Sequence, residues 1–165
     1  MRRILRGLGW GAVAILAIAA LLYATRTNPA GPVAGRALSG ELVTTPVTDW
    51  SFTDEHSLIA VETRPAAPHS VTTLCFTVDG RLYVPARAGS TKSWTHYAIS
   101  DPTARVLVGG RVYPVRATRI TDEALVPALR SAAAAKYEAF FDADGEIPED
   151  VWLFRMDSAV DVAAR

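Results

Sequence analysis

The chain has 165 residues, enough for one ordinary domain and a short additional segment. Its 17 basic residues are balanced by 17 acidic residues, so no overall field favours nucleic acid, and we predict that the protein does not bind it. Cys75 is the only cysteine, which excludes an internal disulfide and a metal site built from several cysteines. Its surroundings in VTTLCFTV predict a buried, inert thiol.

The N-terminal segment has the features of a membrane anchor. Three arginines lie in residues 1–6, which we interpret as a basic cytoplasmic n-region, and the next charged residue after Arg6 is Arg26. The nineteen residues between them would span about 28 Å as a helix, which is just enough to cross the hydrocarbon core of a bilayer. We therefore predict a transmembrane anchor over residues 7–25, through which the protein contacts the lipid bilayer.

Two alternatives to an uncleaved anchor stay open, a cleaved signal peptide and a soluble helix. A signal peptide also begins with basic residues and an apolar run, but LYA at residues 22–24 is a poor match to the usual cleavage pattern. The excess of basic residues before the span favours a single-pass protein with a cytoplasmic N-terminus and an extracytoplasmic C-terminal domain. The Pro, Gly and Ala content of residues 26–48 predicts a linker, and we assign residues 49–165 to the domain.

The domain begins with the pattern of a strand and a hairpin. SLIAVETR, at residues 57–64, has the composition of a strand. VTTLCFTVDGRLYVPAR, at residues 71–87, predicts a hairpin, because apolar residues alternate along its first half and Asp79-Gly80 supplies the positive φ of a type I′ turn. This is the clearest local prediction in the chain.

A second hairpin is predicted for RVLVGGRVYPVRATRI at residues 105–120, where two glycines form the turn. Pro114 lies within its second strand and has no amide hydrogen to donate. We therefore expect Pro114 at an edge or a bulge of the sheet.

One helix and a closing strand follow. Thr121 is placed to cap a helix whose first turn carries Asp122 and Glu123, and Pro127 should kink this helix or delay its start. Apolar residues recur every four positions and predict a stripe that lies on the sheet: Leu125, Leu129, Ala133, Tyr137 and Phe141. VWLFRMD, at residues 151–157, has the composition of a last strand.

The order of these elements resembles that of the split β-barrel proteins related to pyridoxamine phosphate oxidase. The shared order is a strand, a hairpin, a loop AGSTKSW that opens a short helix ending in SDPTARV, a Gly-Gly hairpin, a helix and the VWLFRMD strand. The small deazaflavin-dependent nitroreductase-like members are similar in their Trp-initiated helix, DP and GG. The resemblance covers about residues 50–157. It implies a mainly β, α+β fold, a split β-barrel of about six antiparallel strands with one or two packing helices.

The resemblance also implies a cofactor-binding loop. In such proteins the loop after the third strand holds the cofactor phosphate, and the matching residues here are Arg87, Ser90, Thr91 and Lys92, with Trp94 starting the helix. Arginine and lysine neutralise a phosphate dianion, hydroxyls donate hydrogen bonds, and the helix N-terminus adds attraction. The alternative is that the loop is polar only because it is an exposed connection, and the sequence leaves both readings open.

Other candidate sites have less support. His56, His69 and His96 lack metal-ligand spacing, so we expect surface or hydrogen-bonded side chains, although His69 precedes a strand that would border the cofactor groove. The acidic turn over residues 142–146 has its glycine at the wrong offset for a calcium loop, so we predict no metal. No Ser/His/Asp motif, P-loop or dinucleotide glycine fingerprint occurs, which leaves hydrolase, nucleotidase and Rossmann functions without support.

The expected function is that of a membrane-anchored oxidoreductase-like protein that binds FMN or a deazaflavin and acts on a small organic substrate. The alternative is a non-enzymatic extracytoplasmic binding or assembly module on the same fold, with or without a bound cofactor. Enzyme activity stays undecided, because no residue is an obligatory redox catalyst and an external domain lacks a ready supply of reduced nicotinamide or deazaflavin.

The resemblance further implies a homodimer, because split-barrel relatives usually build the cofactor groove between two subunits. Trp50, Trp94 and Trp152 are aromatic residues of the kind that could offer apolar surface to a partner subunit.

Overall fold

A computed structural model of the chain describes residues 13, 15–18, 20, 27–137 and 150–159. Of the predicted anchor over residues 7–25, it describes only residues 13, 15–18 and 20, which are helical, and the rest of that segment lies outside the described residues. In this described part of the chain, no helix is both long enough and apolar enough to cross a membrane.

Residues 27–137 and 150–159 form eight strands, two α-helices and three short 3-10 turns. The strands are β1 (Glu41–Leu42), β2 (Ile59–Thr63), β3 (His69–Thr73), β4 (Phe76–Val78), β5 (Arg81–Arg87), β6 (Thr103–Val108), β7 (Arg111–Ile120) and β8 (Val151–Ser158). The helices are α1 (Ser93–Ser100) and α2 (Val126–Lys136), and the 3-10 turns are Ser51–Glu55, Gly89–Thr91 and Glu123–Leu125.

The strands pair in one sheet of order β3-β2-β6-β7-β8-β5-β4, and β1 joins the side of β7. Strands β3 and β4 stand at opposite ends of this order, yet only Leu74 and Cys75 separate them in the chain. The sheet must therefore curl until its two ends approach each other. At this closure the Thr73 hydroxyl donates a 3.2 Å hydrogen bond to the Pro85 carbonyl of β5. A curled sheet whose strands β3 and β5 are left unpaired with each other at one seam is a split barrel, which confirms the split-barrel, mainly β part of the predicted fold class.

The strands differ from the prediction in two places. The segment VTTLCFTV divides into β3 and β4, because β3 pairs with β2 while β4 pairs with β5, and one straight strand cannot reach both partners. Residues 41–42, in the segment predicted to be a linker, add β1, and its pairing with β7 is parallel rather than antiparallel. The sheet thus has more described strands than predicted.

Both predicted hairpin turns are confirmed. Asp79 and Gly80 have φ values of 51° and 70°, and Gly109 and Gly110 have φ values of 56° and 82°. Positive φ at both central residues is the geometry of a type I′ turn, which matches the right-handed twist of the strands that it joins.

Pro114 lies inside β7, opposite Arg105 of β6. The ladder of β6 and β7 starts at the two-glycine turn with a hydrogen-bonded pair, so its alternation puts Pro114 in a non-hydrogen-bonded pair. The proline nitrogen therefore faces away from β6. On that side β7 pairs with β1 only up to Val112 and with β8 only from Val115. Contrary to the expectation, Pro114 therefore lies neither at an edge nor at a bulge. It lies in a gap between β1 and β8, where no strand residue pairs with it on this side and its lack of an amide hydrogen breaks no ladder bond.

The barrel interior is filled by apolar side chains that include the fully buried Val61, Val84, Val106, Val115 and Phe154. Burial of each such side chain contributes about 1.5–3 kcal/mol relative to exposure. Trp50 and Trp94 belong to the same cluster and are 3% and 4% exposed. The expectation that these two residues offer surface to a second subunit is therefore wrong, because the interior of the barrel needs their volume.

Helix α2 packs on the outer face of the sheet. Leu129, Ala133 and Tyr137 contact a cluster that includes Phe76, Tyr83 and Leu153, which confirms the central part of the predicted stripe. Leu125 is 39% exposed, and Phe141 lies outside the described residues.

The start of α2 differs from the prediction. Asp122, not Thr121, caps the 3-10 turn Glu123–Leu125 that leads into the helix, and its carboxylate accepts a 2.9 Å hydrogen bond from the Ala124 amide. A 3-10 turn precedes the α-helix, which begins at Val126. Pro127 then lies in the first turn, where no amide hydrogen is needed, so it delays the helix without kinking it.

Residues 27–43, which we call the strap, cross the outside of the sheet. Leu38 is buried against Ala60 and Val112, on the face opposite the barrel interior. Three backbone amides of the strap donate hydrogen bonds to the sheet. The Gly35 amide donates to the Ser70 carbonyl over 2.8 Å, and the Glu41 amide donates to the Gly110 carbonyl over 3.1 Å. The Leu38 amide donates to the Glu62 carboxylate. Glu62 is buried, and Arg105 compensates its charge with hydrogen bonds of 2.6–2.9 Å.

Candidate functional site

The unpaired seam between β3 and β5 opens into a cavity of about 400 Å³, which we call the groove. Its lining residues come from the strap, the residue before β2, β3 and the residue after it, β5 and the start of α1: Gly31, Pro32, Ala34, Leu58, Val71, Thr72, Thr73, Leu74, Pro85, Ala86, Arg87, Lys92 and Trp94. Most of these side chains are apolar, and the charged ones are Arg87 and Lys92. The volume is in the range of pockets that hold one small organic ligand.

Pro85 explains why β5 can border the groove. Its carbonyl oxygen accepts the Thr73 hydroxyl, so the backbone of Pro85 faces the seam rather than β8. A residue without an amide hydrogen therefore removes no bond from the β5–β8 ladder.

The loop from Ala88 to Lys92 is held in a sharp turn. Ala88 has a φ of 53°, in the left-handed region. Gly89 lies so close to Trp152 of β8 that a Cβ atom there would be 2.4 Å from the indole, so only glycine fits. The Thr95 hydroxyl is 2.7 Å from the Gly89 carbonyl oxygen, which ties the loop to the first turn of α1.

Arg87 and Lys92, both predicted from the sequence, lie at the ends of this loop. Both are exposed, and neither forms an ion pair or a side-chain hydrogen bond with any residue that the structure describes. Lys92 is also the N-cap position of α1, which has no side-chain cap and no acidic residue in its first turn. Two cations and the positive end of a helix dipole make this end of the groove electropositive.

Trp94, predicted to start the helix, is the second residue of α1 and lines the groove. It is 4% exposed, and its ring centroid is 5.1 Å from that of Phe154 in the barrel interior. Trp94 therefore supports the fold and contributes apolar surface to the groove at the same time.

Ser90 and Thr91 do not line the groove. The amide and the hydroxyl of Ser90 both donate to the Asp150 carboxylate, each over 2.8 Å. The Thr91 hydroxyl donates to the Ala88 carbonyl over 2.9 Å. Their hydroxyl hydrogens stabilise the loop, so the structure brings together Arg87, Lys92 and Trp94 but directs these two side chains elsewhere.

The three histidines lie outside the groove lining. His69 begins β3, as expected for a strand that borders the groove, but its ring contacts Tyr97 edge-on with centroids 5.7 Å apart. Burial lowers the pKa of His69, and the charge of Arg64 lowers it further. His96 lies 2.7 Å from the Ser90 carbonyl oxygen. Within the described ranges, no group of three His, Cys, Asp or Glu side chains is arranged to hold a metal ion.

Cys75 is fully buried, as predicted. Burial raises the pKa of its thiol, although the ammonium of Lys136, 3.7 Å from the sulfur, opposes that effect. A thiol held protonated in the interior is a poor nucleophile.

Sequence reasoning missed the strap residues that line the groove and the two residues of the β8 region, Asp150 and Trp152, that hold the loop. The glycine and proline content of the strap indicated a linker, and nothing local indicates that Asp150 faces a loop 60 positions earlier. These contacts arise only when β5 and β8 pair.

Comparison with solved structures shows which proteins have a similar fold. A candidate pyridoxamine 5′-phosphate oxidase from Listeria innocua superposes with a TM-score of 0.51 at 17% identity, over 64% of this chain and 86% of that one. An F420-H2-dependent reductase superposes with a TM-score of 0.50 at 16% identity, over 62% of this chain and 95% of that one. No protein-family model and no curated protein matches the chain. The chain therefore has the split-barrel fold seen in pyridoxamine phosphate oxidase-like proteins and F420-H2-dependent reductases, as the order of its motifs predicted.

Proposed function

We propose that the groove binds a flavin-type cofactor, FMN or a deazaflavin, and that the protein is an oxidoreductase acting on a small organic substrate. The observation that carries this proposal is the pair of basic side chains, Arg87 and Lys92, which have no charged partner among the described residues and stand at one end of an apolar groove. A flavin nucleotide has a matching distribution of charge, because a flat and largely apolar ring system is joined to an anionic phosphate. The similarity in fold to an F420-H2-dependent reductase supports the same proposal.

The residues present fit such a cofactor. The Arg87 guanidinium offers a fork of donors, Lys92 adds a point charge, and the uncapped first turn of α1 adds amide donors, which together suit a phosphate dianion. Val71 and Trp94 supply apolar surface for a ring system. The hydroxyls implied by the family resemblance take no part in this proposal, because they are hydrogen-bonded inside the loop.

A bound flavin supplies the hydride-transfer chemistry, and the chain supplies binding and position. Arg87 and Lys92 neutralise the phosphate and so fix one end of the ligand. The apolar walls of β3 and β5 exclude water from the other end, and Pro32 and Ala34 of the strap complete the enclosure.

A non-enzymatic binding or assembly module is the second candidate, and one observation favours it. Apart from Lys92, which we assign to the phosphate, no described residue that lines the groove has a side chain typical of proton transfer, such as His, Asp, Glu, Cys or Tyr. Such a groove can retain a ligand without turnover. The two candidates differ in whether the protein, once loaded with reduced cofactor, transfers electrons to an acceptor.

We also propose that the chain is a single-pass membrane protein with its N-terminus in the cytoplasm and its barrel outside. The support is the uncharged segment over residues 7–25, together with large apolar side chains on the described part of that helix. Val13, Ile15, Leu16 and Ile18 are each more than half exposed, and they fall on all sides of a helix. A helix that is apolar all round requires apolar surroundings.

We propose that the protein acts as a homodimer. Because Trp50 and Trp94 fill the barrel, the partner surface would have to come from exposed apolar residues such as Phe52 and Ile99, which are 38% and 51% exposed. Light scattering of the detergent-solubilised full chain should give twice the monomer mass, and a monomer at tens of micromolar would contradict the proposal.

The cofactor assignment is tested by binding measurements on the full chain in detergent. The purified protein should show, or acquire on addition of FMN or F420, the absorption band of the bound cofactor. Replacement of Lys92 or Arg87 by Ala should weaken FMN binding by about 1.5–3 kcal/mol, which is more than tenfold in affinity, because each change removes a hydrogen bond to a charged group.

Two controls make this test specific. Arg81→Ala removes an exposed arginine at the other end of the same strand and should leave FMN affinity unchanged. Riboflavin, which lacks the phosphate, should bind equally to wild type, Lys92→Ala and Arg87→Ala. A protein that takes up neither FMN nor F420, or loses affinity equally for FMN and riboflavin, would show that the loop is an ordinary connection.

A further inference from the structure

The strap begins at Thr27, with one residue between it and the apolar segment over residues 7–25, and hydrogen bonds hold its first residues in place. The Thr27 carbonyl accepts a 2.7 Å hydrogen bond from the Arg36 amide, and the side chain of Asn28 exchanges two hydrogen bonds with the backbone of Ser39. These contacts fold the first strap residues back on the rest of it. The chain is thus fixed to the barrel from its first residue after Arg26.

The same strap residues stand beside the groove. Gly35 exchanges backbone hydrogen bonds with Ser70, and the next residue of β3, Val71, lines the groove. Gly31 lines it too, and the five residues from Arg26 to Gly31 span at most about 18 Å when fully extended. If residues 7–25 enter a bilayer, Arg26 lies at its surface, and the groove is held within that short reach of it.

The rim of the groove has the composition of a surface that meets lipid. Leu58 lines the groove and is 56% exposed, and Val33, between the lining residues Pro32 and Ala34, is 42% exposed. Two exposed basic residues accompany these apolar residues, since Lys92 lines the same groove and Arg36 follows Val33 by three positions in the strap. Apolar side chains bordered by cations match the acyl boundary and the anionic headgroups of a bilayer.

We propose that the groove rim, defined by Val33, Leu58 and Arg36, docks on an anionic bilayer surface, so that the groove opens at the membrane–water interface. This inference rests on the proposed anchor over residues 7–25. Val33 and Leu58 reach into the headgroup region, and Arg36 contacts the phosphates of the lipids. The strap limits the orientations open to the barrel, because only Arg26 separates the proposed anchor from Thr27 in the sequence and Gly35 of the strap is hydrogen-bonded to β3.

The test places a fluorescent label at single positions of the full chain in phosphatidylglycerol-containing vesicles. Cysteine is introduced as Val33→Cys, Leu58→Cys or Arg81→Cys, and the native Cys75 stays unlabelled because it is fully buried. Arg81 is the matched control, since it is exposed at the opposite end of β5, about 20 Å from Arg87 at the strand rise of a sheet. Labels at positions 33 and 58 should be quenched by nitroxide lipids and shifted to the blue, and the label at position 81 should not.

Flotation of the same vesicles separates the possible failures. Protein that does not float with the vesicles overturns the anchor and the docking together. Protein that floats but shows equal quenching at all three positions, or none at positions 33 and 58, overturns the docking and leaves the anchor standing. Neither measurement depends on a cofactor, so the proposed redox function is tested separately by the FMN measurements.

Discussion

The carboxylate of Asp150 accepts both the amide and the hydroxyl hydrogen of Ser90, each over 2.8 Å. The backbone carbonyl of Asp150 also accepts the Gly89 amide, over 2.8 Å. One residue at the start of β8 therefore holds the loop whose ends carry Arg87 and Lys92. It also brings a negative charge close to the place where we propose that a phosphate binds.

The charge of Asp150 should limit the affinity for phosphate. We expect Asp150→Asn to tighten FMN binding by about two- to fivefold, because it removes repulsion between two anions while an amide oxygen can still accept from the Ser90 backbone. Riboflavin binding should not change. The measurement is a titration of both ligands at low and high salt, and the gain should shrink in high salt. Weaker FMN binding would show that the hold of Asp150 on the loop matters more than its charge.

Trp94 should behave differently from its charged neighbours. Trp94→Ala should lower the free energy of unfolding by about 3–5 kcal/mol, because it leaves a cavity between α1 and Phe154. Lys92→Ala should change it by less than about 0.5 kcal/mol, since Lys92 is exposed. Denaturant unfolding of the two variants checks this contrast. If Trp94→Ala and Lys92→Ala lowered the free energy of unfolding by similar amounts, the indole of Trp94 would not be part of the core.

The Tyr137 hydroxyl should stay protonated well into the alkaline range. Burial raises the pKa of Tyr137 from its ordinary value of 10.0 to about 12. The hydroxyl lies 2.7 Å from the Cys75 carbonyl oxygen and 2.8 Å from that of Ser57, where only a protonated oxygen can donate. The pKa of Tyr137 is higher in the folded chain than in the unfolded chain. The protonated hydroxyl therefore contributes its full stabilisation below pH 10, and this stabilisation is lost as the pH rises towards 12.

Tyr137→Phe tests this assignment. The variant should lose about 1–2 kcal/mol of stability at neutral pH. An ultraviolet absorbance titration should lack one late-ionising phenol relative to wild type, and loss of an early-ionising one would contradict the prediction.

Acidification should destabilise the protein partly through His69. Burial, with a smaller effect of Arg64, lowers the pKa of His69 below its ordinary value of 6.5, so the unfolded chain binds a proton more readily than the folded one. The stabilising effect of the neutral imidazole is therefore complete above pH 6.5 and is lost as the pH falls through the folded pKa. Unfolding free energies from pH 8 to pH 5 should fall less steeply for His69→Gln than for wild type, and parallel curves would rule out this role.

Local patterns in the sequence determined most of the secondary structure. Asp79-Gly80 and Gly109-Gly110 specified their turns because few residue pairs adopt positive φ twice in succession. The four-residue spacing of Leu129, Ala133 and Tyr137 specified the buried face of α2. The order of the motifs was enough to indicate the split barrel, and the resemblance to that family marked Arg87, Lys92 and Trp94 as residues of one loop.

Tertiary structure decided which of these residues meet in a site. The division of VTTLCFTV at Leu74 and Cys75 depends on two partner strands that are distant in sequence, and no local propensity encodes it. Ser90 was a plausible phosphate ligand until the pairing of β5 with β8 put Asp150 beside it. The composition of the strap predicted a linker. In the structure the strap forms one wall of the groove, because Gly35 is hydrogen-bonded to β3 and Leu38 to β2. Hydrogen-bond partners and charge neighbours are set by long-range pairing, so they could not be read from the residues themselves.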